Sequence, residues 1–207
     1  MKIAVIGTGN MGSALARSIA LAHDQLFIGA RDPSKAATLA RSIGPEVESG
    51  DIRAAVKAAD MILLALPYAA GLEVVQSENV AQKILVDVSN PITADYTDLV
   101  IGHSTSAAEE LQARAPTARV VKAFNTIFSA LLPQEARKDT VLQVFVAGSD
   151  VEARQAVEHL VKAMGFEPID AGPLSNSRFL EPMGEMNIHF GFFLGWGPVA
   201  APVWRRV

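Results

Sequence analysis

The chain opens on an apolar run, residues 2–6, that stops at Gly7 and gives way over residues 11–23 to apolar positions at helical spacing. The order of strand, glycine turn and helix is set at once. Residues 26–30 read as a second strand, and Asp32-Pro33 places an N-cap candidate beside a first-turn proline, ahead of a helix over 34–43. A short helix over 52–59 leads to a continuous apolar strand, 61–66, that ends at Pro67, and another strand, 84–88, ends in Ser89-Asn90-Pro91. A helix over 107–114 precedes a strand over 120–124 that ends at Asn125; a further strand covers 141–147. Ser149-Asp150-Val151-Glu152 fits a capping box for a helix that runs to Met164, and residues 167–170 make the last strand.

Strands that alternate with helices and are mostly unbroken apolar runs require a parallel sheet buried on both faces. The predicted fold is therefore α/β: a Rossmann-type, doubly wound, mainly parallel sheet with a small C-terminal α/β extension. The pattern loosens between Asn125 and Val141, at Leu132-Pro133 and the charged stretch 134–139. Residues 1–130 are expected to form a dinucleotide-binding domain, and 131–207 an extension that completes the sheet and cleft without standing alone.

The apolar run 188–204 carries His189, three glycines and two prolines, which makes it a poor membrane span. It reads as buried core or a subunit interface, and Phe190, Phe192, Phe193, Leu194 and Trp196 point to a homodimer. Directly before it, DAGPLSNSR at 170–178 packs a Gly-Pro turn, two serines, an asparagine and an arginine into nine positions. It is either a surface loop or one wall of a site.

A length of 207 residues suits one α/β domain with a small appendage. The net charge of −4 offers no global positive field for nucleic acid or an anionic membrane. With no cysteine, disulfides, thiolate metal sites and a cysteine nucleophile are excluded. The N-terminus runs straight into a glycine turn without the regions of a signal peptide, so a cytoplasmic enzyme or binding protein is expected. His23, His103, His159 and His189 form no close ligand pair, and no Ser-His-Asp or paired-carboxylate arrangement stands out; neither a metal site nor a catalytic side chain is nominated. His103 is a candidate polar contact or a surface residue, and Glu181, Glu185 and His189 are candidates to line a cleft.

Gly7, Thr8, Gly9, Asn10, Met11 and Gly12 match G-x-G-x-x-G between a strand and a helix. In that setting the first glycine permits the turn, the second lets a pyrophosphate approach the backbone, and the third lets helix and strand pack closely, with the helix N-terminus facing the anion. Nineteen residues past Gly12 stands Arg31, where an NAD-binding chain would carry an acidic residue for the ribose. Arg31, Lys35 and the Ser34 hydroxyl suit the 2′-phosphate of NADP(H). Asp32 either holds a ribose or caps the following helix. Ligands of open α/β sheets lie outside the carboxyl ends of the strands, which nominates Leu66 and Pro67, Asn90 and Pro91, and Asn125 as further cofactor contacts.

On residues 7–12, on Gly29-Ala30-Arg31 with Lys35, on Ser106-Ala107-Ala108-Glu109, on 120–126 and above all on 170–178, the chain resembles the F420-dependent NADP oxidoreductases. The resemblance covers nearly the whole chain. It implies hydride transfer between NADPH and the deazaflavin coenzyme F420 as co-substrate, a small-molecule redox acceptor, and a segment 172–178 that turns from the last strand into a C-terminal helix beside the active cleft. Some members carry His and Pro in the stretch matching 124–129, where this chain has Asn125 and Phe128, so the acceptor stays open. The alternatives are an NADPH-dependent flavin or metal reductase of the same fold, related to the reductase domain of the six-transmembrane metalloreductases, and a non-catalytic NADPH-binding sensor.

Overall fold

The computed structural model describes residues 1–23, 25–138, 140–205 and 207. Asp139, at the end of the charged stretch expected to mark a seam, lies outside the described residues. Among them the strands are β1 (Ile3–Ile6), β2 (Leu26–Gly29), β3 (Glu48–Gly50), β4 (Met61–Leu64), β5 (Ile84–Asp87), β6 (Arg119–Lys122), β7 (Gln143–Gly148) and β8 (Glu167–Asp170). The helices are α1 (Asn10–Ala22), α2 (Pro33–Ile43), α3 (Ile52–Ala58), α4 (Tyr68–Ser77), α5 (Ala107–Arg114), α6 (Val151–Ala163) and α7 (Ser177–Ile188).

The fold is the doubly wound α/β sheet that the alternating pattern predicts. One eight-stranded sheet has the order β3-β2-β1-β4-β5-β6-β7-β8. Strands β1 to β6 pair in parallel. Strand β7 runs antiparallel to β6, and β8 parallel to β7. The link from β6 to β7 holds only the 3-10 turns Ser129–Leu131 and Gln134–Arg137; a parallel return normally needs a crossover helix.

Alternate residues of each strand serve opposite faces, and two cores result. Ile3, Val5, Leu63 and Val86 pack with Leu15 and Ile19 of α1, Leu39 of α2 and Val157 of α6. Ala4, Ile6, Ile62, Leu64 and Leu85 pack with Val56 of α3, Val74 and Val75 of α4 and Leu111 of α5. Chain order reverses between β1 and β4, so the crevice of the fold opens at their carboxyl ends.

Four features depart from the sequence pattern. Strand β3 is Glu-Ser-Gly, a polar edge strand with no apolar alternation, held by its pairing to β2. Helix α4 follows Pro67 without a side-chain cap and holds Gly71, which obscured its start. The box at 149–152 caps one residue later than expected: Asp150, not Ser149, accepts from the Ala153 N–H at 2.8 Å, while Ser149 Oγ accepts from Leu174 N at 3.3 Å. The strand expected over 120–124 ends at Lys122, because Phe124 turns into the left-handed region at φ 63°.

The segment 188–204 is not buried core. It starts with a π-turn, His189–Phe193, and leaves Phe192, Phe193, Leu194, Trp196, Val199, Val203 and Trp204 more than half exposed.

Candidate active site

The turn at residues 7–12 is shaped by its glycines in three different ways. Gly7 sits at φ 120°, and a β-carbon there would lie 2.3 Å from the Ala65 carbonyl oxygen. One on Gly12 would lie 2.0 Å from the Gly7 carbonyl oxygen. Those two positions are closed by the protein's own backbone. Gly9 differs: a β-carbon there would meet nothing within 4 Å. Open space in front of Gly9 is where a ligand would approach the backbone.

Helix α1 begins at that point with Gly9 as N-cap and no side-chain hydrogen bond to its first turn. The helices α2, α3, α5 and α6 are each capped, by Asp32, Asp51, Ser106 and Asp150. Helix α4, which starts at Pro67 across the crevice, also lacks a side-chain cap. The first-turn N–H groups of α1 therefore remain free for an anion, and its dipole favours one.

At the end of β2, Arg31 and Lys35 are exposed and join no salt bridge among the described residues. Asp32 caps α2, accepting from Ser34 N at 3.0 Å and from Ser34 Oγ at 2.6 Å. Those bonds, the hydroxyl's first, hold its carboxyl below the usual range. Of the two roles open to Asp32, the structure gives it the cap. The Ser34 proton is thus engaged by Asp32. A groove of about 450 Å³ between α1 and α2 is lined by Thr8, Ser34, Lys35 and by Arg17, Thr38 and Ser42, which the sequence did not nominate. The signal was there in the polar stripe of α2, residues 34, 38 and 42 at four-residue steps, facing Arg17.

Leu66 and Pro67 lie at the carboxyl end of β4 beside the turn, where a β-carbon on Gly7 would touch Leu66. Asn90 and Asn125 follow β5 and β6 and find each other. Asn125 Nδ2 donates to Asn90 Oδ1 at 2.9 Å and to the Leu180 carbonyl at 2.8 Å, and Asn90 Nδ2 donates to the Asn125 carbonyl at 2.9 Å. Asn125 Oδ1 is buried without a partner. Pro91 is buried behind them. The left-handed turn of Phe124 aims Asn125 back toward α7; a bulky residue at positive φ costs about 1–3 kcal/mol, and such strain collects at functional sites.

Below these loops lies a buried ionic triad that the sequence did not nominate. Lys122 Nζ contacts Asp87 Oδ2 at 2.8 Å, Glu181 Oε1 at 2.7 Å and the Ser89 carbonyl at 2.5 Å. Glu181 also accepts from Ala107 N at 3.0 Å and Ala108 N at 3.3 Å, at the start of α5. Burial pushes the Glu181 carboxyl up, against the pull of Lys122. Its sequence signal was a lysine and an aspartate inside apolar strands. Glu181 does not line the cleft as the sequence suggested; it is 1% exposed and ties α7 to β6 and α5. Glu185 pairs with His189 at 3.2 Å, and His103 is exposed.

The run 170–178 is a tethered turn rather than a free loop. After the 3-10 turn Leu174–Asn176 it enters α7, and Arg178 makes a two-bond contact with Glu109 of α5. Next to it, Tyr68 donates to Glu110; burial first and then that bond raise the phenol to about 12. No group of His, Asp and Glu side chains suited to a metal occurs among the described residues.

A family model described as NADP oxidoreductase, coenzyme F420-dependent, matches residues 2–91. The family match and the relatives set the class: an NADP-dependent oxidoreductase, with NADP(H) as cofactor. The F420-dependent NADP reductase of Methanothermobacter thermautotrophicus is 31% identical over 208 residues, covering 91% of this chain and 88% of that one. The chain belongs to the F420-dependent NADP oxidoreductase family. A crystal structure from Arthrobacter sp. FB24, provisionally described as an F420-dependent NADP reductase, superposes with a TM-score of 0.84 at 29% identity, covering 99% of this chain and 100% of that one. Metalloreductase STEAP3 of Rattus norvegicus is 32% identical over 183 residues, covering 87% of this chain; the chain spans 36% of that relative. Among the described residues no helix is long and apolar enough to cross a membrane.

Proposed function

We propose that this enzyme moves a hydride between NADPH and a flat redox ring, with F420 as the first candidate acceptor. The observation that carries the cofactor's placement is Gly9: the one glycine of the turn with open space before it, at the uncapped start of α1. There the pyrophosphate would rest on residues 7–12, and Arg31 and Lys35 would hold the 2′-phosphate, with the Ser34 hydroxyl left on Asp32. Leu66, Pro67, Asn90, Pro91 and Asn125 would flank the rest of the dinucleotide. The bound cofactor supplies the hydride chemistry; the chain's part is to bind, orient and exclude water. The balance is that NADPH gives up one hydride, the acceptor gains it together with a proton from solvent, and NADP⁺ leaves.

A charge-assisted bond to the 2′-phosphate is worth about 1.5–3 kcal/mol. One such bond from Arg31 gives NADPH roughly tenfold or more over NADH. The likeness to a metalloreductase favours a second reading, in which a flavin or metal is the acceptor. Purified protein mixed with NADPH and either F420 or FMN, followed by absorbance, separates them: turnover with FMN alone removes F420. NADPH binding without oxidation by either would make the protein a sensor. The proposal also includes a cytoplasmic setting and a homodimer formed through the exposed aromatic end, Phe192 to Trp196.

A further inference from the structure

At the carboxyl edge beyond Asn90 and Asn125 a cavity of about 510 Å³ is lined by Tyr96, Phe128, Ser129, Ile188, Phe192 and Phe193. Three elements build it. Tyr96 belongs to the loop after β5, Phe128 and Ser129 stand just past Asn125 after β6, and Ile188, Phe192 and Phe193 come from the end of α7 and its π-turn. Phe128 and Phe192 meet edge to face, with ring centroids 5.5 Å apart. Gly191 admits the Phe128 ring, which a β-carbon there would meet at 2.7 Å. The lining is aromatic, with one hydroxyl from Ser129 besides the Tyr96 phenol.

The charge around this cavity has one sign. No Lys or Arg occurs in residues 84–113, 123–136 or 179–204, the stretches that form and adjoin it. Lys122 is fully buried in its triad, and Arg178 is engaged by Glu109. Asp95 and Asp98 stand on the loop that carries Tyr96, and both act on the carboxyl of Glu185, one turn before His189. Beside the cavity, the His189 ring is held by Glu185 at 3.2 Å. On the cofactor side of the edge, by contrast, Arg17, Arg31 and Lys35 are exposed.

We infer that this aromatic cavity receives the acceptor ring, and that its acidic surround selects an uncharged or cationic flat ring over one that carries an anionic tail. The inference rests on the NADPH reductase proposed above but not on F420 as its acceptor: the tail of F420 is anionic, so the cavity ranks F420 behind the same ring without that tail. The aromatic faces match a flat ring. Like charges, Asp95 and Asp98 foremost, oppose the approach of a phosphate or oligoglutamate tail, and a focused field of this kind changes association rates by about tenfold or more.

The test uses two pairs of compounds with a common ring and different tails: riboflavin against FMN, and 5-deazariboflavin against F420. Affinity in the presence of NADP⁺ is read from fluorescence, and kcat/KM with NADPH from absorbance, at low and at high salt. Riboflavin should bind about tenfold tighter than FMN at low salt, with the gap narrowing as salt screens it. The double variant Asp95→Asn, Asp98→Asn, which keeps the oxygen atoms that accept hydrogen bonds in this loop, should close the gap by strengthening FMN and leaving riboflavin unchanged. Phe128→Ala should weaken both flavins alike.

Equal or tighter binding of FMN, a gap the double variant leaves intact, or F420 preferred to 5-deazariboflavin would overturn the inference while the reductase stands. A Phe192→Asp variant that splits a dimer yet binds riboflavin normally would give the cavity to a second copy and also overturn it. NADPH oxidation by none of the four compounds would overturn the reductase and the inference together.

Discussion

The guanidinium of Arg178 grips the carboxylate of Glu109 through two bonds, Nε to Oε2 at 2.8 Å and Nη2 to Oε1 at 2.6 Å, and so fastens the first turn of α7 to the first turn of α5. Glu109 also receives the Ser106 hydroxyl at 2.8 Å. Burial drives the Glu109 carboxyl up, but Arg178 and Ser106 together hold it below the usual range. A lowered native value means that the stability Glu109 lends is complete above the ordinary glutamate range of about 4.3 and is lost as pH falls through the native value. Thermal melts across acid pH should therefore fall more steeply for the wild type than for Glu109→Gln. Arg178→Lys should not restore the wild-type melting point, because an ammonium cannot form the paired contact.

Lys122 neutralises two carboxylates that are otherwise shut away from water. Lys122→Met strands Asp87 and Glu181 in the interior, and breaking a buried pair in this way costs about 3–5 kcal/mol. Urea unfolding should show a loss of that size. A loss under about 1 kcal/mol would mean that water reaches the triad.

Much of this arrangement could be read from the chain before any coordinates, and the limits were physical. Mostly apolar runs marked six of the strands, four of them ending at glycine, proline or asparagine turns, because burial on both faces leaves that imprint. Strand β3 left none, since Glu48, Ser49 and Gly50 owe their state to pairing rather than to burial. Residues 7–12 and Arg31 were visible because each occupies a fixed place in a local motif. Arg17, Thr38 and Ser42 left only the polar stripe of α2 as a trace, since their nearness to the turn depends on two helices lying side by side. The place of Glu181 was hidden for the same reason: its partners stand 59, 73 and 74 residues earlier in the chain, at Lys122, Ala108 and Ala107. The far end of the chain was apolar enough to suggest core, yet Trp196 and Trp204 stay 61% and 71% exposed.

Gly9→Ala separates ligand binding from folding. A β-carbon there touches nothing in the protein, so stability should change by no more than about 1 kcal/mol, the scale of an N-cap substitution. NADPH affinity, measured by calorimetry, should fall sharply. Gly12→Ala should instead lower the melting point, because its β-carbon strikes the Gly7 carbonyl.

Arg31→Ala should weaken NADPH about tenfold or more and leave NADH nearly unchanged. Equal losses for the two nucleotides, compared by fluorescence titration, would place the 2′-phosphate elsewhere.

Direct passage of hydride from one ring to the other is best followed with an isotope. The enzyme is given NADPH deuterated at the transferring position of C4 together with 5-deazariboflavin, whose reduced ring holds the incoming hydrogen on carbon, and the product is examined by NMR. Deuterium found on that ring carbon is the expected result. Reduced ring without deuterium, its hydrogen drawn from water, would contradict direct transfer at this edge of the sheet.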